Sequence, residues 1–309
     1  MKSLTVVYFS GRGQAANYQW FLDSLHNQLN GRKVEVIHID FDAPEFDGTQ
    51  KFCVAPKPTI FQGRYKVTRE DWWAASSGRN TGIALCNTEW IAFVDDRCVL
   101  APSWLDAVEA AMEGNYVMCG SYEKRRDMVV ENGRITNPGT LISMDNRWEH
   151  CVERDFYNPH RCTGNWVYGC SLVLPLDWAL FVGGFEEALD GMSAEDTAFG
   201  VMLYNNGFMI KYNMLAHVVQ DRTPGIVSRG FRREDKGEIG TVRDKSHRAL
   251  DLFGAAEHTS NRHFLLQSRA AVQAGKPFPK LFGSREDWFD GEFIGPDYMS
   301  KENSSLHSP

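Results

Sequence analysis

The chain predicts an α/β fold built on a mostly parallel sheet, and three observations point there. Leu4 to Phe9 and Val34 to Ile39 are apolar, β-branched runs on either side of a helix-spaced segment, a βαβ opening. Trp90-Ile91-Ala92-Phe93-Val94 is a continuous apolar run of the kind that fits a strand covered on both faces, and it ends in Asp95-Asp96-Arg97. Helix-length segments then alternate with short strands as far as His217.

In order, the first strand ends in a Ser10-Gly11-Arg12-Gly13 turn. Gln14 to Leu29 follows as a helix, with Tyr18, Phe21, Leu22, Leu25 and Leu29 at three- and four-residue spacing. The second strand closes on Asp40. Phe41 to Arg69 is rich in Pro, Gly and aromatics, and long irregular segments of this kind are more often functional than idle. Asp71 to Cys86 has helical composition and leads into the strand ending at Asp95. Pro102 to Met112 is a helix with Gly114 at its end. Gly120 to Asn165 mixes charges, turns and short apolar pieces, which predicts antiparallel strands and loops. Trp166 to Leu174 reads as a strand, and Pro175 to Val182 as a short helix stopped by Gly183-Gly184. Ser193 to Asn205 reads as a helix closed by Asn206-Gly207, and Phe208 to His217 as a strand. No internal repeat is visible.

The 309 residues bury a substantial core, and 43% hydrophobic with 24% charged residues is ordinary globular composition. A formal charge of -7 gives no global case for nucleic-acid binding, although Arg222 to Arg248 holds eight Lys/Arg against four acids. The seven cysteines are scattered and odd in number and form no C-x-x-C pair, which favours reduced thiols in a cytoplasm. The N-terminal apolar run is too short for a signal-peptide core or a membrane span, so a cytoplasmic location is expected. Nine tryptophans hint weakly at stacking on sugars or bases. Lys301 to Pro309 has a disordered composition.

Ligands of open α/β sheets bind beyond the carboxyl ends of the strands, which is where Asp95 and Asp96 fall. A strand followed by an acidic turn has the same pattern, because Asp is a common turn residue. Four features in a fixed order separate the two readings. They are Asp40 after the second strand, Ser77-Gly78-Arg79-Asn80-Thr81-Gly82 before the Asp95-Asp96 strand, Val182-Gly183-Gly184-Phe185-Glu186-Glu187 followed by Glu195-Asp196-Thr197, and His217 at a late strand end.

In this order they resemble the family 2-like glycosyltransferases of GT-A fold, with a Rossmann-like mixed sheet flanked by helices. The resemblance covers about Leu4 to His217. It implies a catalytic unit over residues 1–221, with a donor half to about 115 and an acceptor half from about 116, and a C-terminal extension over 222–309. It also implies an inverting enzyme, a hexosyl- or pentosyltransferase, that moves a sugar from a nucleotide-diphosphate sugar to an acceptor hydroxyl. The expected partners are that donor and a saccharide, small-molecule or modified DNA-base acceptor, with no membrane span.

Residue by residue, Asp40, Arg79, Asn80, Asp95, Asp96 and Arg97 fall on the donor side. Asp95 matches the first acid of Asp-x-Asp, Asp96 its middle position and His217 the late histidine ligand, and the three are the candidates for holding a divalent metal, Mn2+ or Mg2+. Asp196 matches the base, with Glu195 orienting the acceptor. The same two acids also suit the dipole of a helix start. The last Asp-x-Asp position is Arg97, which leaves two routes to a neutral leaving group: a weakly held metal entering with the diphosphate, or direct pairing of Arg97 with it. Lys57-Pro58 with Gln62-Gly63 lies where a donor-side loop would run. The segment 222–248 reads as a basic flap over the diphosphate or as a track for a phosphate backbone.

Three alternatives stay open. A nucleotidyltransferase also places acids at strand ends, and Ser10-Gly11-Arg12-Gly13-Gln14 loosely imitates its phosphate loop. A phage-type glycosyltransferase of hydroxymethyl-pyrimidine bases uses the same donor chemistry. A catalytically inactive sugar-binding module is supported by Arg97, while the intact Glu195-Asp196 argues against it. A dinucleotide-binding dehydrogenase is disfavoured, because Gly11-Arg12-Gly13-Gln14-Ala15-Ala16 lacks the third glycine of G-x-G-x-x-G.

Overall fold

The computed structural model describes residues 2–11, 17–41, 43–49, 52–57, 75–151, 155–189, 194–223 and 259–279, the last segment with side chains from residue 262 onward. The Arg12–Gly13 part of the first turn, Pro58 with Gln62-Gly63, Ser193, the basic segment beyond Thr223 and the C-terminal tail lie outside the described residues.

Strands β1 (Leu4–Ser10), β2 (Val34–Asp40), β3 (Cys53–Val54) and β4 (Trp90–Asp95) pair in parallel, with β1 between β2 and β4. Further along the sheet come β11 (Ser171–Pro175), β6 (Val117–Arg126), β12 (Ile210–Asp221) and β10 (His160–Arg161). β11 runs antiparallel between β4 and β6, whereas β6 and β12 are parallel. Short β5 (Cys98–Leu100) pairs with β12 and β9 (Thr140–Met144) with β6, and β7 (Val129–Glu131) with β8 (Arg134–Asn137) forms a separate hairpin. The stretch after Gly120 is thus only partly antiparallel, since β6 takes a parallel partner more than ninety residues later.

The unbroken apolar runs of β1 and β4 reflect burial on both faces. Val7, Phe9, Ile91 and Phe93 enter one core, and Leu4, Val6, Tyr8, Trp90, Ala92 and Val94 enter the other. Each large side chain buried in this way stabilises by about 1.5–3 kcal/mol. Helices α1 (Tyr18–His26) and α3 (Trp104–Gly114) supply Phe21, Leu25, Trp104 and Val108 to the second core. Helices α2 (Ala75–Leu85), α4 (Leu176–Val182) and α5 (Glu195–Asn205) cover the first.

α2 lies so close to the sheet that all its residues are buried. Gly78 permits that approach, because a Cβ there would collide with the Phe9 ring. Helix α6 (Thr259–Gln273), from the segment after β12, adds Leu265 and Val272 to the same core, and its Arg269 donates to the carbonyl of Ile83.

Two predicted strands differ. Over Trp166 to Leu174 only the second half is extended. Gly164–Trp166 is a 3-10 turn, and the Gly169 N–H is drawn off to a carboxylate instead of a ladder partner. β12 runs on past His217 to Asp221, because Val218, Val219 and Gln220 continue the pairing with both β5 and β6.

Candidate active site

The parallel strands carry the chain to one edge of the sheet, and three of the acids predicted from the sequence, Asp95, Glu195 and Asp196, gather there around one cation. β4 delivers Asp95 beside Phe9 of β1, with 29% of its side chain exposed. α2 aims Arg79 at it. One guanidinium nitrogen donates to Asp95 Oδ1 at 2.9 Å and another to Glu195 Oε1 at 2.7 Å. The guanidinium also lies 5.3 Å from the centre of the Phe185 ring. Burial disfavours its charge, but the fields of Asp95, Glu195 and Asp196 prevail, so Arg79 holds its proton more firmly than an ordinary arginine.

Glu195 and Asp196 open α5 after Ala194, whose φ of 67° places it in the left-handed region. Asp196 is held by two backbone donors, Gly169 N–H at 2.9 Å on Oδ2 and Thr197 N–H at 2.7 Å on Oδ1. Any side chain at Gly169 would collide with the Arg79 guanidinium, so the glycine lets these groups meet. Burial and the neighbouring Glu195 carboxylate push the Asp196 carboxyl up to about 6, against the opposing pull of Arg79 and the two N–H donors. Asp95, Arg79, Glu195 and Asp196 therefore form one connected cluster.

Asn80 faces elsewhere. It accepts from Phe185 N–H at 2.8 Å and donates to the Phe185 carbonyl at 2.8 Å and to Glu187 at 2.9 Å. Lys57 forms a buried ion pair with that same Glu187. Asn80 and Lys57 thus fasten the turn after α4, which Gly183 stops with a φ of 87°.

Asp40 ends β2 within a second polar group. Ser10 Oγ donates to it, and His38 Nε2 lies 2.8 Å from Ser10 Oγ and 3.4 Å from Asp40 Oδ2. Burial opposes a charged His38, yet the bonds to Asp40 and Cys53 raise it to about 9. Tyr18 stacks on that ring at 4.3 Å.

Asp96 is 2% exposed, and its carbonyl accepts from Gln220 at 3.3 Å. Arg97 takes a φ of 57°, its N–H donates to Tyr8 Oη at 2.9 Å, and its guanidinium forms a buried ion pair with Asp221. The charge substitution at the third Asp-x-Asp position is thus matched by an acid at the end of β12. The Arg97 Nε–H is buried without a hydrogen-bond partner. Breaking a buried pair leaves an uncompensated charge, so Asp221→Ala is expected to lower stability by about 3–5 kcal/mol. The double variant Arg97→Met/Asp221→Leu should recover most of that loss. Urea unfolding of the three proteins checks the pair, and an unchanged midpoint for Asp221→Ala would refute it.

His217 sits at a register shift within β12, with Nδ1 2.8 Å from Ser121 Oγ. Burial lowers its proton affinity, and its charged neighbours are Glu123, Asp145 and Arg125. The structure does not bring it together with Asp95 and Asp96. Among the described residues no three His, Cys, Asp or Glu side chains form a cation site. This donor set does not fit the expected metal, and no step below is routed through one.

The sequence reading missed Gly169, Asp221 and His38. His38 carried a signal, since it lies two residues before Asp40 on the same strand face. Asp221 and Gly169 act across long separations that no local pattern encodes.

The profile described as glycosyl transferase family 2 matches residues 15–173. No curated protein matches the chain. Among solved structures, "GalNAc-T7 with UDP, GalNAc and Mn2+" is 10% identical with a TM-score of 0.54, over 89% of this chain and 52% of that one. S. aureus TarS 1-349 in complex with UDP is 15% identical with a TM-score of 0.49, over 87% of this chain and 70% of that one. The chain therefore spans about half the length of the GalNAc-T7 chain it resembles. With more than half of its residues matched by the family profile and its sheet in the GT-A arrangement, the chain belongs to glycosyl transferase family 2.

Proposed function

We propose that the protein is an inverting glycosyltransferase that moves a hexosyl or pentosyl group from a nucleotide-diphosphate sugar to an acceptor hydroxyl. One observation carries the reading: Arg79 joins a carboxylate at the end of β4 to the Glu195-Asp196 pair at the start of α5. The first suits a donor and the second an acceptor, and a single cation fixes their spacing. The catalytic unit we propose spans residues 1–221, with α6 of the following segment backing α2 and α4.

The chemistry follows from that arrangement. Asp196 takes the proton of the acceptor hydroxyl as its oxygen attacks the anomeric carbon. The bond from that carbon to the diphosphate oxygen breaks on the opposite face, and its electron pair leaves with the nucleotide. A base whose pKa lies near neutrality combines ionisation with proton affinity, as base catalysis needs. Glu195, fixed by Arg79, orients the acceptor. Asp95 takes the donor's ribose or phosphates and Asp40 its base, while Asp96 and Arg97 shape the turn between them. Mn2+ accompanies the nucleotide in the GalNAc-T7 structure, and a divalent ion entering with the donor is the metal reading to be tested here. The acceptor is a saccharide, a small molecule or a modified base. Among the described residues no helix is long and apolar enough to cross a membrane.

Thermal-shift screening of nucleotide sugars with and without Mn2+, followed by a hydrolysis assay, tests the reading. A donor that both stabilises and is hydrolysed supports it, whereas one that stabilises without turnover favours an inactive sugar-binding module. With UDP as the first probe, Asp95→Ala is expected to weaken nucleotide binding at least tenfold, about 1.4 kcal/mol. An unchanged Kd by calorimetry removes Asp95 from the donor site.

A further inference from the structure

We propose that Lys124 and Arg222, on the adjoining ends of β6 and β12, form the cationic site that neutralises the departing diphosphate; the assignment rests on the nucleotide-sugar reading above. A leaving diphosphate gains charge as the glycosidic bond breaks, so preorganised cations aimed at it lower the barrier. Arg79 is committed to Asp95 and Glu195, and Arg97 is paired with Asp221. The positive charge for the phosphates has to come from other groups.

Three contacts place Lys124 at the site. Its register partner on β12 is Gln220, whose side chain reaches the carbonyl of Asp96 at 3.3 Å. Its ammonium lies 5.1 Å from the centre of the Tyr122 ring, on the same face of β6. Tyr122 in turn lies 6.0 Å from Tyr168, the residue before the Gly169 that holds Asp196. The ammonium thus sits between the Asp95-Asp96 turn and the Asp196 support, within the fields of both Asp95 and Asp196.

Arg222 follows β12 directly, and its N–H donates to the Arg125 carbonyl at 2.6 Å, which sets it beside Lys124. Burial and the charge of Arg222 both lower the proton affinity of Lys124. Two like charges held side by side, with no acid in a direct ion pair among the described residues, suit an anion that arrives carrying several negative charges. Tyr122 and Tyr168 are braced from behind by Arg147, whose guanidinium lies 5.9 Å from the first ring and 4.2 Å from the second.

The test is calorimetric titration of UDP, ADP, GDP, CDP and dTDP, and of the matching monophosphates, into the full chain in EDTA and again in Mn2+. The proteins are wild type, Lys124→Gln, Lys124→Arg, Arg222→Gln and the Lys124→Gln/Arg222→Gln double variant. For the diphosphate that binds, the double variant is expected to lose at least tenfold in EDTA, Lys124→Arg to stay within about threefold, and the monophosphate to change little. The loss should shrink as salt rises, because it is electrostatic. Equal diphosphate binding by wild type and double variant overturns the cation assignment and leaves the glycosyltransferase reading intact. Wild-type binding that requires Mn2+ also overturns it, since the metal then carries the charge. If no diphosphate binds wild type in either condition, both the assignment and the nucleotide-sugar reading fall.

Discussion

Asp196→Asn is expected to cut sugar transfer by about 10²–10⁴-fold, the range a positioned base contributes, while diphosphate binding stays within about twofold of wild type. The substitution keeps the shape and, with the amide oxygen turned to Gly169, the acceptor for that N–H, while the bond from Thr197 N–H is given up. What is lost is the capacity to take a proton. The pH dependence gives a second readout. With the carboxyl near 6, kcat/KM should fall about tenfold per pH unit below that value, because the protonated acid cannot act as a base. In Asp196→Asn the residual rate should lose that limb. Near wild-type turnover, or an acid limb unmoved in the variant, would remove Asp196 from the proton transfer.

That the clustered acids Asp95, Glu195 and Asp196 were visible in the sequence has a physical reason. Asp95 ends an apolar strand and Glu195-Asp196 open a helix, so each stands where a local pattern changes abruptly. The βαβ opening, the β4 strand and the Gly183 stop were legible for the same reason, as was α2, although its close seat on the sheet depends on Gly78 meeting Phe9. Long-range pairing was not legible. Arg97 reads in the sequence as a free cation at a metal position, and only the fold shows Asp221 answering it from 124 residues away. His217 matched a ligand position by order along the chain, but β12 continues for four more residues and leaves it beside Ser121. The end of β12, and not His217, reaches the Asp95-Asp96 turn. Lys124 carried no local signal, because a basic residue on a long strand normally marks a solvated face.

Arg79→Met should have a structural effect as large as that of Asp221→Ala. It removes the cation shared by Asp95 and Glu195 and leaves carboxylates partly buried around an apolar side chain. Breaking a buried ion pair in this way costs about 3–5 kcal/mol. The pH dependence distinguishes this from a packing defect. Arg79 holds the Asp196 carboxyl down, so without it that pKa rises above its wild-type value. A raised carboxyl pKa favours the fold at low pH, and the benefit disappears as pH climbs through it. The stability deficit should therefore be small near pH 4 and full near pH 8. The acid limb of the residual rate should move upward for the same reason. Arg79→Lys keeps the charge but presents a single point donor in place of a fork that reaches two acids, so it should restore stability more than rate. A deficit that is equal at pH 4 and pH 8, with an unmoved acid limb, would show that Arg79 fills space and does not bind the two halves of the site electrostatically.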